Sequence, residues 1–149
     1  MKRIQWFLTG RALLAVAAML AFPGCAARAQ RPTESALASS GTDSVRVRRF
    51  LSALQSALSR NDSVAVSKMF QYPSLGVWDG RQRLHLRRSE ELLPIYRSVF
   101  GSDLRQVILS ATFDSLFANF QGVTVGRGRI WFQIHKNGIP RIAAINPAP

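Results

Sequence analysis

Few side chains in this 149-residue chain have the chemistry of an acid, a base or a nucleophile. Histidine occurs only as His85 and His135, and the last of the eight acids is Asp114. The stretch from Ser115 to Pro149 therefore holds no carboxylate to act as a general base. His135 has an imidazole suited to proton transfer near neutral pH. Its neighbours in the period-two pattern are Trp131 and Gln133, with Asn119 and Gln121 expected on the adjoining strand. Amides are neutral and cannot stabilise an imidazolium as a carboxylate does. Asp79 precedes Gly80 and reads as turn chemistry, and Asp114 as a turn or cap residue.

Metal and nucleophile motifs are absent as well. There is no Cys pair, no HxH, no HExxH, and no carboxylate within a helical turn of either histidine. No serine stands in G-x-S-x-G, and Gly126-Arg127-Gly128 reads as a hairpin turn and not a phosphate loop. No metal and no cofactor is expected.

Two patterns point to binding. Trp131, Gln133 and His135 share a strand face, so with Asn119 and Gln121 they form an aromatic and amide cluster. Such a cluster suits a pocket for a small apolar ligand, a protein interface or a homodimer contact through the sheet. The same alternation is also what a solvated outer sheet face requires. Arg81, Arg83, His85 and Arg87 occupy alternate positions, and a strand there carries one cationic ridge. That ridge suits anionic envelope components, or guards a sheet edge against unwanted pairing.

The elements that position these residues follow from periodicity. Asp43 or Ser44 caps a helix with Val47, Phe50, Leu51, Leu54 and Leu58 on one stripe. A second, short helix passes through Val66, Met69 and Phe70 and ends before Tyr72-Pro73. Leu75–Trp78 and Gln82–Arg87 form a hairpin about Asp79-Gly80. Ser89 with Glu90 and Glu91 starts a helix through Tyr96 to Gly101, with Pro94 awkward in its first turn, and Asp103–Leu109 continues as a short helix. Strands follow from Ser115, with a bulge at Gly122 restoring the phase between Phe120 and Val123. Asn137-Gly138 turns the chain into Ile139–Ile145, which is apolar on both faces like a central strand. Leu54, Leu58, Phe70, Phe100, Phe120, Phe132 and Ile134 are expected in one core.

The runs Met69-Phe70-Gln71-Tyr72-Pro73-Ser74-Leu75 and Phe117–Phe132, set in this order of elements, resemble the nuclear transport factor 2-like superfamily. The resemblance covers residues 44–146 and implies an α+β fold, a curved antiparallel sheet wrapped cone-like around its helices. That scaffold hosts isomerases, dehydratases, hydrolases, ligand carriers and interaction modules, so it does not choose among them. An enzyme reading would place His135 or Tyr96 in the cone as acid or base.

The first 29 residues read as an address. Lys2, Arg3 and Arg11 precede the apolar run Ala12–Phe22, which is too short to span a bilayer as a helix, and Pro23-Gly24 ends it. Ala27-Arg28-Ala29 is a signal-peptidase exit; Phe22–Cys25 resembles a lipobox that would leave Cys25 lipidated as the only membrane attachment. The leader takes four of the 20 cations and none of the 8 acids, so a net charge of +12 falls only to +8. Residues 30–42 read as a flexible tether and 43–147 as the domain. The sequence thus points to an exported, periplasmic or secreted binding or accessory module without catalysis. The enzyme and the binder of envelope polyanions are its alternatives, and export leaves nucleic acid outside its reach.

Overall fold

The computed structural model describes residues 34–148, and the expected leader with Cys25 lies outside them. Five helices and six strands build an α+β domain in the order α1 (Glu34–Ser39), α2 (Ser44–Ser59), α3 (Ser63–Ser67), β1 (Gly76–Trp78), β2 (Arg83–Leu84), α4 (Tyr96–Val99), α5 (Ser102–Leu109), β3 (Phe117–Asn119), β4 (Gly122–Val125), β5 (Ile130–Ile134) and β6 (Pro140–Ile145). A 3-10 segment, Ser89–Ile95, leads into α4. Among the described residues no helix is long and apolar enough to cross a membrane.

Helix α2 forms as its stripe requires. The Asp43 carboxylate accepts the Arg46 amide at 2.8 Å, and Val47, Phe50, Leu51, Leu54 and Leu58 are all buried. Asp62 caps α3 in the same way through the Ala65 amide. Helix α3 stops at Ser67, earlier than expected, and Phe70 instead bridges to Ile142 of β6. Pro94 gives the segment that contains it, Ser89–Ile95, a 3-10 form: it lacks an N–H and its ring clashes with an α-helical turn, so α-helix begins only at Tyr96.

The strands lie in the order β2-β1-β6-β5-β4-β3. Every pairing is antiparallel except β1 with β6, so the sheet is mixed and the expectation of an antiparallel sheet is corrected. Strand β6 is central, as its apolar faces suggested. Its side chains and those of β4 and β5 meet the helices in one core, where Phe50 packs edge-on against Phe132 with centroids 4.9 Å apart.

Three core expectations change. Phe120 is 77% exposed, because Phe120 and Gln121 form a two-residue turn between β3 and β4. That reversal, with Asn119 opposite Gly122, accounts for the phase change that suggested a bulge there: Ala118 and Val123 stand opposite each other on the core face. The sheet's irregularity falls instead between Trp131 and Phe132, against β6. Ile134 is only half-buried. Finally, residues 34–39 of the expected tether are helical, and Leu37 is wholly buried in the core. Thr42 also docks, its hydroxyl donating to the Gly138 carbonyl at 3.1 Å.

Candidate functional site

Alternation along β5 sends Ile130 and Phe132 into the core and Trp131 and Gln133 to the opposite sheet face. Trp131 stands opposite Thr124 of β4 and Ala144 of β6, and Thr124 stands opposite Phe117 of β3. Phe117, Thr124, Trp131 and Ala144 therefore form one row across the sheet. Gln133 faces Arg141, whose guanidinium donates to the Lys68 carbonyl. At the β3–β4 turn the Asn119 carboxamide oxygen accepts the Gln121 amide at 2.8 Å, so Asn119 positions Gln121.

Arg83 completes this face from the edge strand. Its side chain lies over Gly76, where a Cβ would come within 3.0 Å of it, and its guanidinium donates to Asn146 Oδ1 at 3.2 Å. Asn146 is held in turn by donating to the Gly128 carbonyl at 2.7 Å. Leu75, Arg83, Gln121, Trp131, Gln133, Ala144 and Asn146 line a depression of about 280 Å³. It offers apolar contact, amide hydrogen bonds and one anchored cation. None of its lining residues is a carboxylate or an imidazole.

The structure separates the other sequence-derived residues. His135 is exposed at the start of the β5–β6 turn, outside the depression around Trp131, and its side chain has no hydrogen bond or ion pair among the described residues. Tyr96 lies in the helical layer, so the two catalytic candidates do not converge. The ridge is broken too. Strand β2 covers only Arg83–Leu84, Arg83 turns inward to Asn146, and Arg81 and Arg87 lie outside the strand. Arg46 lies at the other end of β6, donating to the Asn137 carbonyl, so it does not extend the ridge. Asp79 is a turn residue: donation by the Gln82 and Arg81 amides holds its carboxyl below the usual range.

Two further cavities escaped the sequence reading. One, of about 230 Å³, lies between the ends of the sheet and the helices and holds Trp78, Asp103 and Arg129. Arg129 pairs with Asp103 at 3.1 Å, while its buried Nε has no partner. The other, of about 680 Å³, is walled by Asn61, Tyr96, Arg97, Ser102 and Arg105 among others. No local motif marks either, because their members come from distant segments. No group of three or more His, Cys, Asp or Glu that could hold a metal occurs among the described residues.

No protein-family model matches the chain, and neither a curated protein nor a solved structure matches it significantly. The reading of function rests on the residues themselves.

Proposed function

We propose that this domain is an exported binding module that receives a partner protein on its outer sheet face, and that it does not catalyse. The observation that carries the reading is the depression around Trp131, built from an aromatic, amides and an anchored arginine, without a group that titrates near neutrality. Its volume, about 280 Å³, falls just below the usual range for small-molecule pockets, roughly 300–1,000 Å³, and it opens on a sheet face. That size suits one protruding apolar side chain of a partner better than an enclosed ligand. Exposed Phe117, Phe120 and Leu75 supply further apolar surface of the kind that interfaces use.

The leader pattern of residues 1–29 supports export, with Cys25 the point of lipid attachment if the lipobox is read. The nuclear transport factor 2-like cone remains the architecture we favour, on the order of its helices and strands. Against the enzyme alternative that uses His135 stands the exposure of that residue, outside the depression around Trp131.

The test is selection of peptides from a displayed library against the folded protein. We expect enrichment of sequences with a large apolar anchor, and at least about a tenfold loss of affinity in Trp131→Ala, the size typical of an interface anchor. Unchanged affinity in Trp131→Ala and Leu75→Ala would sink the assignment of this face. A concentration-dependent dimer broken by Trp131→Ala would make the partner a second copy of this chain.

A further inference from the structure

The depression on the outer sheet face has a floor of small residues between two unlike walls. Ala144 of β6 stands opposite Trp131 of β5 on one side and Gly76 of β1 on the other. Neighbouring strands lie about 4.8 Å apart, so Trp131 and the β1 backbone face each other across roughly 10 Å. Trp131 makes the apolar wall. Arg83 makes the other, because its side chain lies over Gly76: the three atoms nearest to an added Cβ there all belong to Arg83, two of them at 3.0 Å.

Arg83 is seated without being neutralised. One guanidinium nitrogen donates to Asn146 Oδ1, a neutral acceptor, and the Gly128 carbonyl holds Asn146 in turn. Arg83 forms no ion pair among the described residues. A guanidinium carries five N–H donors in a planar fork, and Arg83 is exposed, so donors are left for a partner. An arginine that only guarded the sheet edge would need no such seat.

The face also carries charge of one sign. Strands β1–β6 contain Arg83 and Arg141 and no acid. Arg141 stands opposite Gln133, on the side of the sheet that Trp131 occupies. Asp79, the acid closest to Arg83 in sequence, sits in the β1–β2 turn, where it accepts the Arg81 and Gln82 amides.

We propose that the partner segment received here is acidic: an apolar residue rests against Trp131, and a carboxylate beside it pairs with Arg83, which thereby selects the partner. This rests on the outer face being the docking surface and adds the partner's chemistry to it. A carboxylate accepts two parallel N–H bonds from one guanidinium, a match that a neutral amide cannot equal. An acidic partner also complements a face from which this chain's own acids are missing.

Short acetylated and amidated peptides test this by calorimetry with the folded protein. Each has one central phenylalanine on a glycine-serine background, flanked by aspartates, by asparagines or by lysines. The aspartate peptide should bind at least about tenfold more tightly than the asparagine peptide, the size of one charge-assisted bond, and the lysine peptide most weakly. Arg83→Gln should bring the aspartate and asparagine peptides to one affinity. Arg81→Gln, which removes the same charge from the neighbouring turn, should keep most of the preference. Gly76→Ala leaves the net charge unchanged but sets a methyl against the Arg83 side chain, and should reduce the preference several-fold. Trp131→Ala should weaken the aspartate and asparagine peptides alike, which reads the docking face separately from its selectivity. Equal binding of those two peptides by the parent overturns the proposal, as does a preference that survives Arg83→Gln or that Arg81→Gln removes as fully. In each of those cases, binding that depends on Trp131 leaves the docking face standing. Failure of all three peptides to bind overturns the docking face and the proposal together.

Discussion

Two tyrosines show how burial and nearby charge together set a residue's behaviour in this domain. The Tyr72 hydroxyl donates to the Ser67 carbonyl at 2.8 Å. Burial first, and then the negative charges of Glu90 and Glu91, push its pKa up from 10.0 to about 12. The unfolded chain therefore releases this proton near pH 10 while the folded chain keeps it to about 12. The stability it contributes is complete below pH 10 and is lost as the pH rises through 12. Tyr72→Phe should lower stability at neutral pH by about 0.5–1.5 kcal/mol through the lost hydrogen bond. It should also flatten the decline between pH 9 and 11.5, leaving a remainder from Tyr96, whose pKa is raised by burial too. Urea midpoints across that range measure both effects, and an unchanged slope would show that Tyr72 is not shielded as described. The His135 side chain, by contrast, is exposed and forms no hydrogen bond among the described residues, and His135→Ala, which keeps the backbone bonds to Ile139 and Gly138, should leave both stability and partner binding as they are.

Elements differ in how strongly they depend on single side chains. Phe132 and Leu37 are wholly buried, whereas Phe120 caps a turn in solvent. Phe132→Ala should cost roughly 3–5 kcal/mol and Leu37→Ala roughly 2–5, by lost burial and the cavity left behind. Phe120→Ala should stay within about 0.5 kcal/mol. Denaturant unfolding of the three variants decides this, and a Leu37→Ala cost near zero would restore the tether. Much of this architecture was legible because it follows local rules. The stripe of α2, the turns at Asp79-Gly80, Gly126–Gly128 and Asn137-Gly138, and the outward face of Trp131 and Gln133 all follow from spacing or turn chemistry. What escaped depends on long-range partners. The parallel pairing of β1 with β6, the docking of Leu37, and the reach of Arg83 to an asparagine 63 residues away have no local signature. Gly122 misled for a related reason. Its φ of +138° and the Phe132 carbonyl, 2.2 Å from where a Cβ would stand, demand glycine for β4–β5 packing and not for a bulge.

At the scale of the whole molecule, repulsion between like charges competes with the ion pairs, of which three are seen among the described residues. Residues 34–148 carry fifteen Lys and Arg against eight Asp and Glu, a net charge of +7. The Arg46–Asp43 and Arg88–Glu91 pairs are exposed contacts three residues apart, and such pairs contribute at most about 1 kcal/mol each. Arg129–Asp103 is better shielded on the arginine side, but its aspartate is 77% exposed. Few attractive pairs therefore offset the self-repulsion of the remaining cations, which acts over the whole surface. Raising ionic strength from 0.01 to 0.15 M shortens the screening length from about 30 to about 8 Å, which weakens the long-range repulsion more than the close pairs. The melting temperature should consequently rise by a few degrees over that interval in sodium chloride. A melting temperature that falls with sodium chloride would mean that the ion pairs outweigh the net charge.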